Sequence, residues 1–181
     1  MLIDYIQNEF DYKLTSLDVL NDILYNQLRY TINKTNLEIN NLVFFNRHNK
    51  ARQQRLLDFL LDAQNYSLHW ELFNRQSNGF TYTPLLATSI KDTLKLGDVD
   101  ETIISLLDII AVDIIHHIIQ LSIEHQEHQL TLNSSTTETF HIPTSSPFTT
   151  NQSSQQANVL HNHNIQSAYQ NYSRINNNNL L

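Results

Sequence analysis

"IISLLDIIAVDIIHHIIQLSIEHQEH", residues 103–128, decides the fold class. Its apolar residues recur in pairs, at 103/104, 106/107, 110/111, 114/115 and 118/119, which is helical spacing. Nine Ile between 103 and 123 favour a sheet by propensity, but the run holds no Gly or Pro at which two strands could turn. Charge argues against a membrane span. An Asp at a bilayer centre costs about 2.5–3.5 kcal/mol, whereas each Ile or Leu returns only about 0.3–0.6 kcal/mol. Asp108 and Asp113 cancel most of that gain, and His116, His117 and Gln120 add to the cost. No Lys/Arg cluster or Trp/Tyr belt flanks the run.

Projected at helical spacing, Ser105, Asp108, Asp113, His116, His117, Gln120, Glu124, Glu127 and His128 gather on one side. Ile104, Leu107, Ile110, Ala111, Ile114, Ile115, Ile118 and Ile119 cover most of the rest, and Leu106, Ile109 and Ile123 intrude on the polar side. An apolar arc this wide predicts a central helix, touched on more than one flank. The expected contact ridge is Leu107, Ile110, Ile114, Ile118 and Leu121.

The segment just before it is well punctuated. Thr83 is a candidate N-cap with Pro84 at the first helical position, and "LLATSIKDTLK" runs to Gly97, suited to a left-handed cap. Asp98 and Glu101 then have capping-box spacing. Further upstream, Leu17, Leu20, Leu24, Leu28 and Ile32 mark a helix capped by Thr15 or Ser16. Leu56, Leu57, Leu60, Leu61, Leu68 and Leu72 mark another, ended by Asn78-Gly79. Between them, Leu42–Phe45 reads equally as a strand or a helical turn. From Thr131 the chain is rich in Asn, Gln, Ser and Thr with no sustained apolar period, which predicts disorder. Within it "NVLHNHNIQSAYQNYSRI" could fold as a short helix on a binding partner. The expectation is an all-α helical bundle with an N-terminal helical region (1–80), a short-helix/long-helix pair (81–130) and a disordered tail (131–181).

Composition narrows the function. The 181 residues contain 2 Gly, 3 Pro and no Cys, with net charge −7. No glycine-rich phosphate loop can be written, and disulfides, zinc-finger spacing and cysteine nucleophiles are absent. The acidic balance gives no basic field for gripping nucleic acid. The start "MLIDYIQNEFDYKL" has neither a signal-peptide nor a transit-peptide pattern, so the chain is expected to be intracellular and not secreted.

Three groupings could carry chemistry. Glu124, His125 and His128 share a helix face, with Asp113 and His117 as another i,i+4 pair, but no third firm ligand accompanies them. A solvated polar helix end is the expectation, and no metal or cofactor. The literal "HNH" at 161–163 lacks the spacing of the nuclease motif. "NRHNKARQQR" carries Arg47, Lys50, Arg52 and Arg55, which at a helix start suit phosphate, an acidic protein surface or solvent. Trp70 in "SLHWELF" reads as core or as an interface anchor.

A short helix, a brief joint and a long helix is how the histone fold begins. Residues 85–129, "LLATSIKDTLKLGDVDETIISLLDIIAVDIIHHIIQLSIEHQEHQ", resemble the histone-fold segments of TFIID and SAGA subunits. The following "LTLNSSTTETFHIPTSSP" is a poor third helix, and only Lys91 and Lys95 could serve as basic DNA-facing residues. The resemblance implies a non-enzymatic subunit of a nuclear, transcription-related complex, heterodimerising with a histone-fold-type or other helical partner. On that reading Ile114→Asp abolishes partner capture. The alternative is a self-contained helical-bundle adaptor, nuclear or cytoplasmic, in which 16–75 packs against 84–128.

Overall fold

A computed structural model of the chain describes residues 2–68, 83–135 and 158–175. In chain order these form α1 (Leu2–Phe10), β1 (Lys13–Leu14), α2 (Asp18–Thr35), α3 (Ile39–Phe45), α4 (Lys50–Leu68), α5 (Ala87–Leu94), α6 (Glu101–Ser135), β2 (Val159–Leu160) and α7 (Asn162–Ile175). The architecture is an all-α bundle around α6, and the strand-or-helix ambiguity at 42–45 resolves as α3.

The predicted periodicities become the core. In α2, Leu20, Ile23, Leu24 and Leu28 are buried. The stripe continues through Thr31 and Thr35, whose hydroxyls donate to the carbonyls of Gln27 (3.0 Å) and Thr31 (2.8 Å), so their burial leaves no hydroxyl proton unpaired. The N-cap of α2 is Leu17, without a side-chain bond, rather than Thr15 or Ser16. The Ser16 hydroxyl, one residue earlier, accepts the Asp18 N–H at 3.0 Å and donates to the Asp18 carboxylate at 2.6 Å. In α4 Leu56 is buried while Leu57 and Leu61 face outward. The Leu68 side chain, Leu72, Trp70 and the break at Asn78-Gly79 lie outside the described residues.

Helix α6 spans 35 residues, longer than the pattern predicts. It contacts α2, α4, α5 and α7. Ile104, Leu106, Leu107, Ile109, Ile110, Ala111, Ile114, Ile115, Ile118 and Ile119 are all buried. Each such Leu or Ile is worth about 1.5–3 kcal/mol relative to exposure. By length and composition alone α6 could cross a membrane, but 61% of its most apolar window is buried inside the chain's own bundle.

The caps around α5 and α6 differ from the sequence expectation. Helix α5 starts at Ala87 rather than at Pro84, and Leu86 stands at its N-cap without a side-chain bond. Its left-handed cap is Lys95 (φ 53°), and Gly97 (φ 56°) makes a second left-handed turn towards α6. The cap of α6 is Asp100, not Asp98: its carboxylate accepts the Thr102 N–H at 2.7 Å. That bond holds the Asp100 carboxyl below the usual carboxylate value.

Two features depart from the sequence reading, which placed 158–175 in a disordered tail and allowed a short helix there only on a binding partner. Residues 158–175, expected to be disordered, form β2 and α7, and α7 packs on α6 and α2. The rest of the expected tail, 136–157 and 176–181, lies outside the described residues. Strand β2 pairs in parallel with β1, Lys13 opposite Val159 and Leu14 opposite Leu160. The chain also uses one arrangement twice. Helix α1 (9 residues), a joint with left-handed Asp11 (φ 56°) and the 18-residue α2 repeat the order of α5 (8 residues), its left-handed joint and α6.

Candidate functional site

Four of the five ridge residues, Leu107, Ile110, Ile114 and Ile118, are buried by the chain's own helices, and Leu121 is half-buried. The physical reason is α2 and α7. The leading expectation left most of the arc to a partner chain, whereas four helices of the same chain pack against α6. The ridge is therefore core, and meeting another chain there would require a covering helix to leave.

The polar side of α6 is more deeply used than its amphipathic pattern suggests. Asp108 is 0% exposed, and its carboxylate accepts the backbone N–H groups of Leu85 (3.0 Å) and Leu86 (2.6 Å). Those donors stand at the start of α5, which has no side-chain cap of its own. Thr83 is therefore not the cap. A carboxylate from the next helix does the work instead, and ties the two helices together.

One turn further along, the basic cluster meets Asp113. Arg52, only 1% exposed, donates from Nε to Asp113 Oδ2 at 2.7 Å and from Nη1 to Asn46 Oδ1 at 3.1 Å. Arg55 pairs with the other Asp113 oxygen, and Asn49 Nδ2 approaches Oδ2 at 3.4 Å. Asn46, itself fully buried, donates to the Leu42 carbonyl at 2.7 Å. Asn49 also accepts the Arg52 backbone N–H at 3.0 Å, capping the start of α4. Burial pulls the Arg52 guanidinium down to about 10, with the Tyr172 phenol opposing that shift, so it stays charged at neutral pH. Arg55 is lowered by burial and by the neighbouring Arg52 charge.

His117 completes this junction. Its ring lies edge-on to Tyr172 of α7, with centroids 5.1 Å apart. Burial first, then the Arg52 charge, holds it below the usual imidazole value; Glu124 acts in the opposite direction. The junction thus joins α4, α6 and α7 through charge and ring contacts.

The other groupings stay apart. Among the described residues, no set of three His, Cys, Asp or Glu side chains could hold a metal ion. Glu124 accepts from Gln120 at 3.0 Å, and His125 pairs with Gln129 at 3.0 Å. In the "HNH" stretch His161 and His163 stack at 5.5 Å, and Asn164 accepts the His161 N–H at 3.0 Å, a local cap for α7. Arg47 lies over the Phe44 ring at 4.3 Å, and Lys50 is exposed. Arg52 and Arg55 are thus bound internally rather than presented to phosphate.

Sequence reasoning found the charged residues but not their pairing, because Arg52 and Asp113 are 61 positions apart. One signal was available: two carboxylates within a helix this apolar each need a buried partner. Comparison with family models, curated proteins and solved structures finds no match to this chain.

Proposed function

We propose that the chain is a non-enzymatic helical interaction module that pairs with itself and needs no obligate partner to fold. The observation that carries this reading is the burial of Leu107, Ile110, Ile114 and Ile118 within the chain. The charged groups of the junction, Arg52, Arg55 and Asp113, are engaged with one another, as structural pairs are. The twofold use of a short helix, a left-handed joint and a long helix supports a further step. On this reading, α2 of the same chain, which packs on α6, takes the place of the partner that the histone-fold resemblance of 85–129 implies. The β1–β2 pair ties the first of these units to the C-terminal segment that carries α7. By that resemblance, the assembly the module serves is nuclear and transcription-related.

Expression of the full chain alone tests this. The expected result is a soluble monomer with one cooperative melting transition. Aggregation that a co-expressed helical partner rescues would overturn it, in favour of heterodimerisation through the long helix. Affinity purification with mass spectrometry then identifies the assembly, and a set of cytoplasmic proteins would refute the nuclear assignment.

A further inference from the structure

Buried polar groups are well paired across most of the bundle: Thr31, Thr35, Asn46 and Ser122 all bond to main-chain carbonyls, and Asp108 accepts two backbone N–H groups. One seam departs from this. Five buried side-chain atoms have no hydrogen-bond partner among the described residues: Gln27 Oε1, His117 Nε2, Gln126 Oε1, Asn162 Oδ1 and Ser173 Oγ. Asn162 and Ser173 belong to α7. Gln27 donates to Tyr169 of α7 at 2.8 Å, and Gln126 reaches the Val159 carbonyl of β2 at 3.4 Å. His117 faces Tyr172. All five therefore lie where β2 and α7 meet the rest of the molecule.

An orphaned buried donor or acceptor loses its water without gaining a partner, so each one weakens the contact that buries it. The strand pair that helps to hold this element is two residues long. Leu160, Ile165 and Ala168 are its buried hydrophobics, Tyr169 and Tyr172 pack half-buried against the core, and α7 lies along both α6 and α2. The unpaired polar atoms, rather than a lack of apolar contact, are what lower the opening free energy of this element below that of global unfolding.

We propose that β2 and α7 form a releasable latch, which opens from α2 and α6 as a unit while the remaining bundle stays folded, and that protonation of His117 opens it. His117 is enclosed by Tyr172 from α7 and Arg52 from α4, with His116 and Glu124 on its own helix and Asp113 one turn earlier, tied to Arg52 and Arg55. Phe10 of α1 covers the His116 ring at 4.7 Å. A second positive charge beside Arg52 at a partnerless Nε2 opposes the latched state, and release of α7 uncovers the imidazole. The folded, latched His117 titrates below its ordinary value of 6.5, so the latch is at full strength above that value. It weakens as pH falls from there through the latched-state value. The covalent tether keeps a released α7 near its seat, so closure is intramolecular and concentration-independent.

Hydrogen exchange of the full chain, read by mass spectrometry and corrected for intrinsic exchange rates, tests both parts. At about pH 7.5 residues 158–175 are expected to exchange at least about tenfold faster than the buried segment of α6. Exchange of α7 at about the same rate as α6 and α2 would show one cooperative unit and sink the latch. Between about pH 7.5 and about pH 5, across the imidazole range, exchange of 158–175 is expected to rise about tenfold with α6 unchanged. No selective rise overturns the gate. His117→Phe keeps an aromatic edge without a proton to gain, and His117→Gln serves if the Phe variant does not fold. Either is expected to flatten the pH response, and a response that persists in the folded variant refutes the role of His117. The double variant His161→Gln/His163→Gln removes the other imidazoles on the latch and is expected to keep the response. A flat profile there would move the gate from His117 to that stacked pair.

Discussion

Asp113→Ala is the sharpest test of the polar junction. The substitution removes the acceptor of Arg52 Nε and the partner of Arg55, and leaves a guanidinium that is 1% exposed. Breaking a buried ion pair from one side costs about 3–5 kcal/mol, mostly from the charge left behind. Asp113 itself is 17% exposed, so water reaches its position, and Arg52 keeps its bond to Asn46 at 3.1 Å. Both place the cost near the low end, about 3 kcal/mol. For a domain of this size each kcal/mol moves the melting temperature by about 2–4 °C, so a fall of about 6–12 °C is expected. The decisive comparison is the double variant Arg52→Met/Asp113→Leu. Removing both charges together relieves the stranded guanidinium but orphans the buried Asn46 Oδ1. The double variant should therefore recover only part of the loss and stay about 1–3 kcal/mol below the parent. Denaturant titration of the parent, both single variants and the double variant measures the coupling directly. A single-variant cost under about 0.5 kcal/mol, the level of an exposed pair, would refute the buried-pair reasoning.

Three further perturbations follow from the same structure. Asp108→Ala strands the N–H groups of Leu85 and Leu86, and should cost about 2–4 kcal/mol while speeding exchange of those two amides; unchanged exchange there would count against the cap. Gly97→Ala meets no atom within 4 Å, so its cost is purely that of a left-handed backbone, about 1–2 kcal/mol by denaturant titration; a neutral result would place φ elsewhere. Ile114→Asp puts a carboxylate at a fully buried position and should abolish cooperative melting of the isolated chain; a stable variant that only loses a partner would restore the ridge as an external surface.

The sequence by itself determined the helical class and the central place of α6. Apolar residues at helical spacing report which faces are apolar, and they did so for α2 and α6; in α4 only Leu56 of the marked and described positions is buried, while Leu57 and Leu61 are exposed. Such spacing does not report what covers those faces. Ile114 reads the same whether a partner or α2 and α7 lie against it. Local chemistry was likewise legible where the partner is near in sequence, as with Ser16 and Asp18. It was misplaced by two residues at Asp98, because the joint runs slightly longer and Asp100 accepts the N–H of Thr102. Only the tertiary structure decided the rest. Asp108 caps a segment 22 to 23 residues upstream, and Arg52 meets Asp113 from 61 residues away. Helix α7 follows a segment whose composition gave no apolar period, and its anchors matter only because α2 and α6 form a seat for them. Spacing encodes contacts within one or two turns; contacts across the bundle depend on which helices meet, and that is settled when the whole core closes around α6.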